Sequence, residues 1–177
     1  MRYKFRQGRL ESALSYHLLA RQLGYQPTFN YGEHGKPSID ADESLSQVVA
    51  YSHFNFSHCK TAVACAAGKG AVGVDVECLG RYSESLAAYT MSDEELKAIH
   101  EADDPDTTFT LLWTKKEALL KLTGEGITDD LKTVLQSDRT KGITIQSGYD
   151  KQQKYAWSVA HTSLDDDPVV DYDAHIM

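Results

Sequence analysis

The sequence has few cysteines and no long apolar run. Only three cysteines occur in 177 residues, Cys59, Cys65 and Cys78, and no two form a C-x-x-C pair. Structural zinc usually takes closely spaced ligand pairs, which are missing here even with His53 and His58 nearby. Three reduced, mostly buried thiols are expected. No apolar stretch reaches the length of a membrane span, and Met1-Arg2-Tyr3-Lys4-Phe5-Arg6 lacks the apolar core of a signal peptide. A cytoplasmic protein without a membrane partner is the default. Low-complexity segments and short tandem repeats are also missing. Basic residues are outnumbered, with a net charge of −8. That makes nucleic acid a poor partner for the chain.

The hydrophobic content of 41% suffices for a core. Charge is unevenly spread. Residues 1–80 carry 8 Lys/Arg and 7 Asp/Glu, whereas residues 81–177 carry 10 and 19. The N-terminal half is therefore the natural seat of an anionic ligand, with Arg2, Lys4, Arg6 and Arg9 as a basic cluster.

Apolar spacing predicts a helix over 10–23 ended by Gly24, then a turn-rich stretch over 31–37. Strand-like runs follow at 53–57, 61–67 and 71–77, with Gly68-Lys69-Gly70 read as a hairpin turn. Residues 78–90 read as a connector. Ser92-Asp93-Glu94-Glu95 fits a capping box opening a helix to about residue 102. A long helix is predicted over 107–122, stopped by Gly124 and Gly126. Strand-like runs at 131–136, 142–147, 154–161 and 169–175 complete the chain. Helices and hairpins without regular βαβ alternation indicate an α+β fold.

Four segments carry candidate chemistry. In Gly73-Val74-Asp75-Val76-Glu77, strand alternation puts both carboxylates on one face, where an oxygen-seeking cation such as Mg2+ could be met. Alone, this pattern more often marks an exposed acidic strand face. In Trp113-Thr114-Lys115-Lys116-Glu117-Ala118-Leu119-Leu120-Lys121, Glu117 and Lys121 share a helix face at the edge of an apolar stripe. Alone, they read as an ordinary i,i+4 surface pair. In Phe54-Asn55-Phe56-Ser57-His58, inward phenylalanines turn Asn55 and Ser57 the other way and leave His58 at the strand end. Gly35-Lys36-Pro37 holds a lysine in a rigid turn.

Their order and combination, spread over residues 3–127, resembles the 4′-phosphopantetheinyl transferase superfamily. Within it, the chain is similar to the larger, surfactin-synthetase-activating (Sfp-like) type, which holds two similar α/β halves in a pseudo-twofold arrangement. The shorter holo-carrier-synthase type begins almost at its G-x-D motif and matches less well. The resemblance implies halves at 1–78 and 79–177. It also implies transfer of the 4′-phosphopantetheine of coenzyme A to a serine of an apo acyl or peptidyl carrier protein, releasing 3′,5′-ADP. Asp75, Glu77 and Glu117 would surround Mg2+, with Mn2+ as a substitute, and Glu117 would act as general base. Lys121 would meet the pyrophosphate, and Lys116 the coenzyme A moiety. Ser57 and His58 would hold phosphates, Lys36 would lie near the adenine, and Arg9 would meet the 3′-phosphate. The larger type usually carries more residues before the basic segment. The alternative is thus a coenzyme A- or carrier-binding relative without turnover. A pseudo-dimeric chain of this kind is expected to be a monomer.

Overall fold

The computed structural model describes residues 6–31, 37–39, 53–126, 130–162 and 169–173. Helix α1 (Arg6–Leu23) starts four residues earlier than the apolar spacing predicts, so the basic segment of Arg6 and Arg9 is already helical. Gly24 at φ 76° ends it, a conformation that favours glycine. A small ribbon of β1 (Phe29–Tyr31) and β2 (Pro37–Ile39) follows.

Strands β3 (His53–His58) and β4 (Val63–Gly68) pair antiparallel, and β8 (Val169–Asp173) pairs with the other edge of β4. All six residues of β4 are buried. Val63, Cys65 and Ala67 pack under Leu18 and Leu19 of α1, together with Phe54 and Phe56. On the opposite face Ala64 and Ala66, with Ala62, meet Val72, Val74 and Val76 of β5 (Val72–Cys78). The small alanine side chains bring the layers close, and each fully buried valine contributes about 1.5–3 kcal/mol.

β5 does not form a hairpin with β4. The chain crosses at Lys69-Gly70 into a second antiparallel sheet of order β5-β7-β6, built with β6 (Ile143–Asp150) and β7 (Tyr155–Thr162). The expected hairpin is therefore corrected to a crossover. β8, from the C-terminal end, joins β4, while β5 joins β7, so both sheets mix strands from either side of residue 78.

The segment read as a connector contains helix α2 (Glu84–Thr90). Ser83 caps it by accepting from the Leu86 N–H, and Ala87 and Met91 seal it against Ile99 and Phe109. α3 (Asp93–His100) opens with the predicted capping box: Ser92 Oγ accepts from Glu95 N at 3.3 Å, and Glu95 accepts from Ser92 N at 2.7 Å. α4 (Pro105–Thr123) begins two residues before the prediction because Asp104 caps it and Pro105 needs no amide partner. Gly124 ends it at φ 77°.

Residues 131–136 form a 3-10 turn at Leu131–Thr133, not a strand. Leu131 and Val134, three apart, both pack on Leu119 and Leu120. A three-residue spacing suits a helical turn and would split those side chains between the faces of a strand. The α+β class is borne out. Among the described residues no helix is long and apolar enough to cross a membrane.

Candidate active site on strand β5 and helix α4

Gly73 sets the distance between the two elements that carry the chemistry. A Cβ built there would lie 2.1 Å from Ala118 O and 2.5 Å from Leu122 N. Only glycine lets α4 lie directly on β5 at this point. One turn earlier, Thr114 Oγ1 is 2.8 Å from Ser158 Oγ on β7, which in turn is 2.8 Å from Ser147 Oγ. These two anchors fix the rotation of α4. They turn Thr114, Ala118 and Lys121 to the sheet and bring Glu117 alongside.

Strand alternation runs as the sequence indicates. Val74 and Val76 enter the core, while Gly73, Asp75 and Glu77 face α4. Lys121 Nζ donates to Asp75 Oδ1 at 2.7 Å, to Ser57 Oγ at 3.0 Å and to Val74 O at 3.1 Å. Ser57 Oγ in turn donates to Asp75 Oδ1 at 2.9 Å and accepts from Val76 N at 3.2 Å. Four residues singled out from the sequence thus gather on three elements: Ser57 on β3, Asp75 on β5, Glu117 and Lys121 on α4.

The cluster is short of donors. Asp75 Oδ2 and Glu117 Oε1 are buried and have no hydrogen-bond partner. A buried carboxylate oxygen without a donor is costly. Burial pushes the Glu117 carboxyl above its ordinary range, the charges of Asp75 and Glu77 push the same way, and Lys121 opposes them. Two unpartnered oxygens in an oxygen-only donor set fit a hard cation. Glu77 differs from the expected trio, because its Oε2 pairs with Arg81 at 2.7 Å. Among the described residues no group of three His, Cys, Asp or Glu is close enough to hold a metal. Asp75 and Glu117 are therefore the carboxylates whose surroundings suit a cation.

A cleft of about 370 Å³ opens beside them, lined by Asn55, Phe56, Glu117, Leu120, Lys121, Gly124 and Gly126. Asn55 faces the same way as Ser57, as the strand pattern indicates, although the sequence assigns it no role. Its Oδ1 accepts from Val74 N at 3.4 Å, so it closes the seam between β3 and β5. The signal was its place two residues before Ser57 on the same strand face. Glu77 instead borders a smaller recess with Arg81, Leu86, Phe109, Thr110 and Trp113.

The other expected residues lie further out. His58 ends β3 with an exposed side chain, and its Nε2 is 3.3 Å from Glu11 Oε2. This contact brings the start of α1 to the strand end, and Arg9 is exposed there, two residues before Glu11. Lys36 lies outside the described residues. The reading of Lys116 as a coenzyme A contact is corrected. Its ammonium is fully buried, 2.8 Å from Glu95 Oε2 and 2.8 Å from Leu131 O. It ties α4 to the N-terminus of α3, and the adjacent position on a helix necessarily points about 100° away from Glu117.

Residues 71–173, more than half of the chain, match the family model described as the 4′-phosphopantetheinyl transferase superfamily. A 4′-phosphopantetheinyl transferase of Bacillus subtilis is 28% identical over 166 residues, covering 83% of this chain and 70% of that relative. The 4′-phosphopantetheinyl transferase HetI of Nostoc is 29% identical over 160 residues, 86% of this chain and 63% of the relative. AcpT of Salmonella typhimurium, also named as a 4′-phosphopantetheinyl transferase, is 35% identical over 113 residues, 60% of this chain and 55% of the relative. Against the relatives more widely, the chain spans from 39% to 70% of their length. The family match covers the strand that holds Asp75 and the helix that holds Glu117 and Lys121, and the chain belongs to the 4′-phosphopantetheinyl transferase superfamily.

Proposed function

We propose that the chain transfers the 4′-phosphopantetheine arm of coenzyme A to a serine hydroxyl of an apo acyl or peptidyl carrier protein, in a Mg2+-dependent reaction that releases 3′,5′-ADP. The observation that carries this reading is the pair of buried, unpartnered carboxylate oxygens, Asp75 Oδ2 and Glu117 Oε1, beside the Lys121 ammonium. The naming of the relatives as phosphopantetheinyl transferases supports the substrate class.

Phosphoryl transfer rests mainly on positioning and charge neutralisation. Asp75 and Glu117 would hold the Mg2+, which when bound offsets the charge of the pyrophosphate. Lys121 supplies a second positive charge at the same place, His58 offers a ring N–H at the β3 end, and Ser57 would meet a phosphate only by turning its hydroxyl hydrogen away from Asp75. By the family resemblance, Arg9 would meet the 3′-phosphate and Lys36 would lie near the adenine. Glu117 accepts the proton of the carrier serine. The serine oxygen bonds to the phosphorus bearing the pantetheine arm, the bond from that phosphorus to the bridging pyrophosphate oxygen breaks, and 3′,5′-ADP leaves with the bond electrons. Burial and the charge of Asp75 raise the Glu117 carboxyl in the metal-free chain, and a bound Mg2+ would pull it back down.

The test is to incubate the protein with Mg2+, coenzyme A and several apo carriers and weigh the carriers. A gain of one phosphopantetheine on at least one carrier is expected. Tight coenzyme A binding without gain on any carrier would favour the binding relative instead.

A further inference from the structure

The seam between β3 and β5 has a regular register. Asn55 Oδ1 accepts from Val74 N, and Ser57 Oγ accepts from Val76 N, each pair being 19 residues apart in sequence. One step further in the same register lies Cys59 opposite Cys78. Both thiols lie 3.7 Å from the same hydroxyl, Thr61 Oγ1. Both are free and half-buried, so a small reagent can reach them, whereas Cys65 is fully buried under α1.

We propose that Cys59 and Cys78 form a modification site, a dithiol that closes to an intramolecular disulfide across the β3–β5 seam when it meets a low-molecular-weight disulfide. One protein thiolate attacks a sulfur of the small disulfide, forming a mixed disulfide and expelling one small thiolate. The second cysteine loses its proton, attacks the protein-bound sulfur and expels the other small thiolate. The two cysteines are oxidised, the small disulfide is reduced to two thiols, and the two cysteine protons end on them. Burial pushes the Cys59 thiol up to about 11, which suits it to the second, intramolecular step, where proximity offsets a small thiolate fraction.

The bond would join the residue after Ser57-His58 to the residue after Glu77, tying together the two strands that carry the site. Bridge formation is read without any transfer assay, so it stands or falls separately from the proposed function. The full chain is incubated with oxidised glutathione, alkylated and mapped by mass spectrometry. The expected result is a Cys59–Cys78 bridge, reversed by reductant, with Cys65 still alkylatable after unfolding. Stable glutathione adducts without a bridge, a bridge to Cys65, or no oxidation of either thiol would each overturn the proposal.

Discussion

Lys121 Nζ lies 2.7 Å from Asp75 Oδ1, so a helix cation covers one oxygen of the strand carboxylate while Asp75 Oδ2 stays buried without a donor. The arrangement neutralises half of a site and leaves the other half in need of positive charge. Glu117, on the same helix, adds a second unpartnered oxygen.

Glu117 should therefore destabilise the metal-free chain at neutral pH. Its folded carboxyl is raised by burial and by Asp75. The stability of the protonated form is fully present below the unfolded carboxylate pKa and is lost as pH rises through the raised folded value. In chelator, Glu117→Gln should have a higher urea midpoint than the parent at neutral pH, and the gap should close in acid. Mg2+ should then stabilise the parent more than the variant, which keeps Asp75. Equal midpoints in chelator at neutral pH would remove the electrostatic argument.

Glu117→Gln should also lose transfer while keeping coenzyme A affinity. Removal of a general base lowers turnover by about 10²–10⁴-fold. Carrier mass gain and calorimetric coenzyme A binding, measured side by side, distinguish this from a folding defect. Full turnover would eliminate Glu117 as the base.

Gly73→Ala should push α4 off β5, because its Cβ has no room beside Ala118 O. Overpacking of this kind costs about 1–3 kcal/mol, read from urea denaturation. Transfer should fall as well, since Asp75 and Lys121 sit on the two elements being separated. A variant with parental stability would mean that the helix approaches less closely than 2.1 Å implies.

Lys116→Met should strand Glu95 beside the α3 N-terminus. Removing one partner of a buried ion pair costs about 3–5 kcal/mol. Glu95 retains the Ser92 amide, so the double variant with Glu95→Gln should recover part of the loss. Coenzyme A affinity should stay near parental in whatever fraction folds, which separates this anchor from a phosphate contact.

Asp104→Asn tests an exposed charge. Lys151, then the Thr107 amide and hydroxyl, hold the Asp104 carboxyl down to about 2. A depressed folded pKa contributes stability present above the unfolded value and lost as pH falls through the folded one. The parent should exceed Asp104→Asn in thermal midpoint near neutrality, and the two should converge as pH falls toward 2. A gap independent of pH would point to altered capping rather than charge.

Much of the site was legible because it depends on local periodicity. Alternation along 73–77 placed both valines inward and both carboxylates on the other face, and the i,i+4 spacing placed Glu117 and Lys121 together. The Ser92–Glu95 capping box was legible for the same reason. Helix α2 was missed because its cap, Ser83, has no Glu or Gln three residues on, and its short apolar face is completed by α3 and α4. The 131–136 segment was misread because a few apolar residues suit either period until a partner surface chooses.

The sequence by itself determined the α+β class, the order of the motifs and which faces of β5 and α4 carry charge, since these follow from residue types and chain geometry over a few positions. It took the folded chain to part β4 and β5 into different sheets, to turn Lys116 inward to Glu95, and to leave Asp75 and Glu117 with unpartnered oxygens. The reason is physical. Burial and charge pairing depend on neighbours dozens of residues away, and the close approach that sets them turns on one missing Cβ, at Gly73.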